Sequence, residues 1–141
     1  MKYVLDSCVA FKRAVTEALS DVAIRLRDDF RNGVHELLTP DIFPFEIGHA
    51  LTRAERQKRI SIADGWAHWL AIMTDRPSMH PALPLMPRAY SISSAERIGV
   101  YDCLYVALAE SENCELVTSD DKLIRLLQPK FPFLISLSAL P

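Results

Sequence analysis

The sequence predicts a three-layer α/β/α sandwich around a central, mainly parallel sheet, and three observations predict it. Short strand-like runs at 2–5 (KYVL), 34–39 (VHELLT), 114–118 (CELVT) and 133–137 (FLISL) alternate with segments of helical length. The intervals between them are long enough for the crossovers that parallel pairing requires. Half of the 141 residues are apolar or aromatic and 24% are charged, a balance that fills a core without a disulfide or metal staple.

Each element has its own reason. KYVL is a short apolar run that ends at Asp6. A helix or pair of helices fills 8–31, with Val22, Ile24, Leu26 and Phe30 among its apolar positions and Asn32-Gly33 as its stop. After the second strand, Pro40 and Asp41 are expected to open a long helix to about Lys58, and a further helix runs from Ser61 to about Arg76. Segment 77–87 carries four prolines in eleven residues, so it reads as a loop with an extended piece. It divides two halves of one domain spanning 1–141. Residues 87–98 read as a helix stopped by Gly99, 102–112 as a strongly apolar helix, and 120–128 as a short helix before the last strand.

Composition narrows the function classes. No apolar run reaches the roughly 18 residues that span a bilayer, and Asp6 interrupts the N-terminal apolar run, so neither a membrane nor a secretory leader is expected. Sixteen basic against 18 acidic residues give no global electrostatic case for nucleic acid. Three cysteines without CxxC spacing point away from a disulfide frame or a zinc site, and toward a reducing cytoplasm. The absence of GxxxxGK[ST] and GxGxxG motifs argues against a nucleotide-binding loop.

Four carboxylates stand in apolar frames: Asp6 in VLDSCV, Glu46 in PFEIGHAL, Asp102 in YDCLYVALAE and Asp120 in LVTSD. In a parallel sheet, ligands bind outside the carboxyl ends of the strands, and Asp6 and Asp120 fall just there. Taken singly, Asp102 and Asp120 have an ordinary reading as helix caps. Together, four acids without basic neighbours would repel one another, and a divalent cation is the natural remedy. Oxygen-only ligands favour Mg²⁺ or Mn²⁺ over zinc. Such a centre polarises a phosphodiester and generates hydroxide from water, with one ion or two about 3.5–4 Å apart.

Those four segments, in that order and at those spacings, resemble the acidic motifs of PIN-domain nucleases. The branch they most resemble is the VapC-type ribonuclease toxins of toxin–antitoxin pairs. The resemblance spans essentially the whole chain, and YDCLYVALAE followed by LVTSD is its most specific piece. It implies Mg²⁺- or Mn²⁺-dependent cleavage of RNA, with Asp6, Glu46 and Asp102 as the core metal-binding acids and Asp120 as the fourth. It also implies a supporting role for Thr118, with Ser7 and His49 nearby, a cognate antitoxin laid across the acidic groove, and a homodimer. The chain departs from the pattern at Cys8, where members usually carry Ser or Asn, and at His49, where Asn is common. A housekeeping PIN nuclease and an inactive PIN-like binding module are the competing readings.

Other features carry two readings each. His49 lies at i+3 from Glu46 and is either a ligand or a polar neighbour. Cys8 has no histidine tied to it by sequence, which weighs against a thiol nucleophile. Arg53, Arg56, Lys58 and Arg59 either guide an RNA backbone or form a solvated helix end. Trp66, Trp69, Leu70 and Met73 recur at helical spacing and serve either as core or as a self-association face.

Overall fold

The computed structural model describes residues 1–141 and bears out the sandwich. Five strands, β1 (Lys2–Leu5), β2 (Glu36–Pro40), β3 (Ser78–His80), β4 (Glu115–Thr118) and β5 (Leu134–Ser136), form one sheet in the order β3-β2-β1-β4-β5. Every pairing is parallel. Seven helices cover it: α1 (Ser7–Phe11), α2 (Ser20–Arg31), α3 (Phe43–Arg56), α4 (Ile62–Thr74), α5 (Met86–Glu96), α6 (Val100–Ser111) and α7 (Asp121–Leu127). No helix is long and apolar enough to cross a membrane.

Strand alternation sorts the core into two layers. Tyr3, Leu5, Leu37 and Val117 face one side, where they pack with apolar residues of α1 to α4. Val4, Leu38, Leu116 and Leu134 face the other, against α5 to α7. Both faces of the sheet are therefore buried, which is why its strands read as short continuous apolar runs. Helix α6 has seven consecutive buried residues, Cys103 to Ala109, because it lies between the sheet and α5. Helices α3 and α4 pack closely at Gly65, where a Cβ would collide with the Glu55 carboxylate.

Two boundaries differ from the sequence reading, and the extended piece of the proline segment is borne out. Pro40 ends β2 instead of opening a helix, and α3 begins at Phe43. Proline is tolerated there because the final strand position needs no donor, and Asp41 N–H takes over by bonding the His80 carbonyl at 2.9 Å. The extended piece of the proline segment is β3, which pairs with β2 at the sheet edge, and a 3-10 turn over Leu83–Leu85 leads into α5. Gly99 does not stop α5: Arg97 closes that helix in the left-handed conformation (φ 57°), and Gly99 is the residue that starts α6.

From β1 the chain builds outward to β2 and β3, then crosses back to lay β4 and β5 on the opposite side of β1. The order therefore reverses between β1 and β4, and a crevice opens at their carboxyl ends.

Candidate active site

That crevice is where the four acids gather, each carried by the start of a helix. Asp6 is the N-cap position of α1 directly after β1. Glu46 lies in the first turn of α3, which follows β2, and Asp102 in the first turn of α6. Asp120 is the N-cap of α7, just after β4. Helix N-termini carry partial positive charge, so four of them aimed at one place lower the cost of collecting carboxylates there.

Asp6 is buried, and its Oδ2 accepts a 2.8 Å hydrogen bond from the Thr118 hydroxyl. Burial pushes the Asp6 carboxyl above its ordinary range. The Thr118 bond pulls it back, and the Glu46 charge pushes it up again. Glu46 Oε1 accepts from the Tyr105 hydroxyl at 2.6 Å and from Ser7 Oγ at 3.3 Å. Its carboxyl is also raised, by burial first and by Asp102, while Tyr105, Ser7 and His49 oppose the rise. Asp102 is pushed up to about 6 by burial, with repulsion from Asp6 and Asp120 adding to it. None of the ion pairs in the structure involves any of the four. Asp6, Glu46 and Asp102 thus feel their acidic neighbours through space, and no ion pair with a cation of the chain offsets it.

Asp120 differs from the other three. It is exposed, and its Oδ1 accepts from the backbone N–H of Lys122 (3.0 Å) and Leu123 (3.1 Å), the capping role that its position allows. Thr118 ties it to Asp6, since its Oγ1 accepts from Asp120 N–H at 3.1 Å while donating to Asp6. Asp102 caps nothing, because Gly99 holds the N-cap of α6.

The donor set fits a hard divalent cation in its chemistry: carboxylate oxygens only, largely desolvated and without basic partners. The side chains as they stand do not close into a cage, since no three His, Cys, Asp or Glu groups lie close enough together to hold an ion. Two hollows flank the acids instead. One, of about 660 Å³, is lined by Ser7, Phe45, Glu46, His49 and Tyr101 among others, and the other, of about 240 Å³, by Asp102 and Asp120 with Arg97 and Lys122.

The remaining sequence candidates fall at varied distances. His49 is exposed on α3 beside Glu46. Cys8 Sγ accepts from Ser119 Oγ at 3.2 Å and lies 3.6 Å from Thr118 Oγ1. Its thiol is pushed up to about 12 by burial and by Asp6, so it is no nucleophile at neutral pH. Arg53 is two helical turns from Glu46, about 10 Å along the axis, and Arg56 is about 15 Å away. Lys58 and Arg59 lie beyond the end of α3, and Arg59 is paired to Glu17 at 3.0 Å. The fold therefore does not bring this basic run among the acids. The α4 stripe divides: Met73 is buried, and the half-buried Trp69 donates Nε1–H to the Pro44 carbonyl at 3.0 Å. Trp66 and Leu70 remain 62% and 47% exposed.

Sequence reasoning missed Tyr105. Its signal was available, because it lies three residues after Asp102 and so shares that face of α6. It also missed Ser119, whose bond to Cys8 needs the strand end to be seen folded.

The description "PIN domain" belongs to the family profile that matches residues 3–127. The chain belongs to the PIN-domain family. Within it, the chain is similar to Ribonuclease VapC9 of Mycobacterium tuberculosis, at 32% identity over 102 residues that cover 70% of this chain and 76% of that one. Among solved structures, that of PAE2754 from Pyrobaculum aerophilum superposes with a TM-score of 0.71 at 23% identity, covering 98% of this chain and 93% of that one. A second, of VapBC2 from Rickettsia felis bound to a DNA fragment from their promoter, gives 0.62 at 20% identity, covering 96% and 97%. These two likenesses carry the fold.

Proposed function

We propose that the chain is a divalent-metal-dependent endoribonuclease, the toxin of a toxin–antitoxin pair, acting as a single PIN-like nuclease domain in the cytoplasm. One observation carries the reading: Asp6, Glu46, Asp102 and Asp120 stand at helix starts around the switch point of a parallel sheet, the carboxyls of Asp6, Glu46 and Asp102 are raised by burial and by neighbouring acids, and none of the four forms an ion pair. The VapC ribonuclease among its relatives supports RNA as the substrate, and the VapBC2 assembly among its structural neighbours supports an antitoxin partner.

In this reading Asp6, Glu46 and Asp102 hold Mg²⁺ or Mn²⁺, with Asp120 as the outer acid. When bound, such an ion would supply Lewis acidity toward the phosphodiester and toward a water molecule. Thr118 fixes the Asp6 carboxylate, while Tyr105 and Ser7 fix that of Glu46. Phe45 and Tyr101, 77% and 61% exposed on the hollow beside Glu46, offer faces on which bases stack. His49 lies at the rim of the same hollow, and Arg53, Arg56, Lys58 and Arg59 meet phosphates farther along the strand. A second copy of the chain covers the exposed Ile62, Trp66 and Leu70 of α4.

A binding module without activity is the rival, favoured by the lack of convergence among the carboxylates. Antitoxin-free protein and Asp102→Asn, purified in parallel, are incubated with structured RNA in Mg²⁺, Mn²⁺ or EDTA. The proposal expects cleavage that needs metal and falls about a hundredfold or more in the variant. Cleavage at the parental rate by Asp102→Asn would overturn the site. No cleavage by folded parental protein with any metal would favour the module.

A further inference from the structure

The least satisfied charge in the molecule lies away from the acids. Arg13 follows α1, and its Nε, Nη1 and Nη2 are all shielded from solvent without a hydrogen-bond partner. Its neighbours are already engaged. Arg31 forms a two-pronged pair with Asp75, with Nε to Oδ1 at 2.7 Å, and Arg27 donates Nε and Nη2 to Asp28 Oδ1 at 3.0 and 2.9 Å. Three guanidiniums thus face two carboxylates, and the uncompensated charge is that of Arg13. Burial pushes Arg13 down to about 10, with Arg27 adding repulsion and Asp75 opposing it, so the group stays charged at neutral pH. An unpaired buried cation is costly, and a buried donor without a protein partner calls for a water, an ion or a ligand.

Arg13, Arg27, Arg31, His68 and Asp75 line one cavity of about 70 Å³ between α2, α4 and the segment after α1. That is room for about two water molecules, too little for a base or a sugar. A guanidinium presents its N–H groups as a planar fork that matches the oxygens of a phosphate. We propose that this cavity binds a phosphate group, with Arg13 as its principal donor and Arg27 and Arg31 as the positive wall. Asp75 and Asp28 hold the two wall arginines in place, whereas no hydrogen bond holds the Arg13 guanidinium, which turns from its shielded position into the cavity to meet the ligand. The site shares no residue with the acidic crevice and stands whether or not the crevice is a nuclease centre. The phosphate comes either from the free ion or from the end of a nucleotide whose nucleoside remains outside.

The test uses full-length protein prepared without phosphate or sulfate and kept in EDTA. Thermal melts are recorded against inorganic phosphate and against adenosine 5′-monophosphate, with chloride at matched ionic strength as control. The proposal expects a rise in Tm that reaches about 4 °C at ten times the dissociation constant and then grows with the logarithm of ligand concentration. Arg13→Met should abolish it, and Arg125→Gln, on the exposed face of α7, should leave it intact. Should Arg13→Met fail to fold, Arg27→Gln should weaken the apparent affinity about tenfold. A response to phosphate alone identifies the free ion, and one stronger with the nucleotide identifies a terminal phosphate. Parental protein that responds to neither beyond the chloride control, or a response kept in Arg13→Met or undiminished in Arg27→Gln, would overturn the proposal.

Discussion

Replacing Asp102 by Asn in metal-free protein should stabilise the fold while disarming the site. Burial, together with repulsion from Asp6 and Asp120, moves the Asp102 carboxyl from 3.8 to about 6. At about 1.4 kcal/mol per pH unit, ionising it inside the fold costs at most about 3 kcal/mol. The half-buried side chain still reaches water, and that screening reduces the cost to about 1–2 kcal/mol. Because the folded pKa lies above the unfolded one, the contribution is fully favourable below the unfolded value and is lost as pH rises through about 6. At pH 8 in EDTA, Asp102→Asn should therefore melt about 4–8 °C above the parental protein. The gap should narrow toward about pH 4, where the parental carboxyl is protonated in the fold. Saturating Mg²⁺ should reverse the order, since the parental protein gains binding energy that the variant forgoes. Calorimetric melts across pH, with and without metal, read all of this. A variant that melts at or below the parental protein in EDTA at pH 8 would show instead that the α6 N-terminus stabilises the carboxylate more than burial and like charge oppose it.

Other outcomes follow from named contacts. Tyr105→Phe removes the 2.6 Å bond that holds the Glu46 pKa down, so the acid limb of the pH–rate profile should move to higher pH, with about 1–2 kcal/mol lost in stability by denaturant titration. Asp120→Ala strips the two capping bonds of α7 and should cost about 1 kcal/mol by the same titration, beyond any effect on cleavage. Leu108→Asp places an unpaired charge in a helix buried on all sides, so circular dichroism should show an unfolded or insoluble chain, and a soluble native spectrum would contradict the burial of α6.

What was legible in the sequence was whatever a local pattern fixes. The four acids stood out because carboxylates rarely sit in frames such as PFEIGHAL, and α6 because burial on every side leaves an uninterrupted apolar run. The strand β3 was not legible as one, since Ser78-Met79-His80 has no strand signature and owes its conformation to pairing with β2. Gly99 starts α6 where it was expected to stop α5, and Arg97 closes α5 instead, because a glycine marks a break without saying which helix it serves. Arg13 reads as an ordinary basic residue after a short helix, and only the packing of α2 and α4 over it shows that its guanidinium is buried and unpaired. The capping bonds of Asp120 show that a structural and a functional reading can hold for the same carboxylate.

Whether the acids hold a divalent cation is read by titrating Mn²⁺ into metal-free protein and following free Mn²⁺ by electron paramagnetic resonance. The account predicts saturable binding that Mg²⁺ displaces, weakened about tenfold or more in both Glu46→Gln and Asp102→Asn. Mn²⁺ binding unchanged in both variants, or none by the folded parental protein, would contradict it.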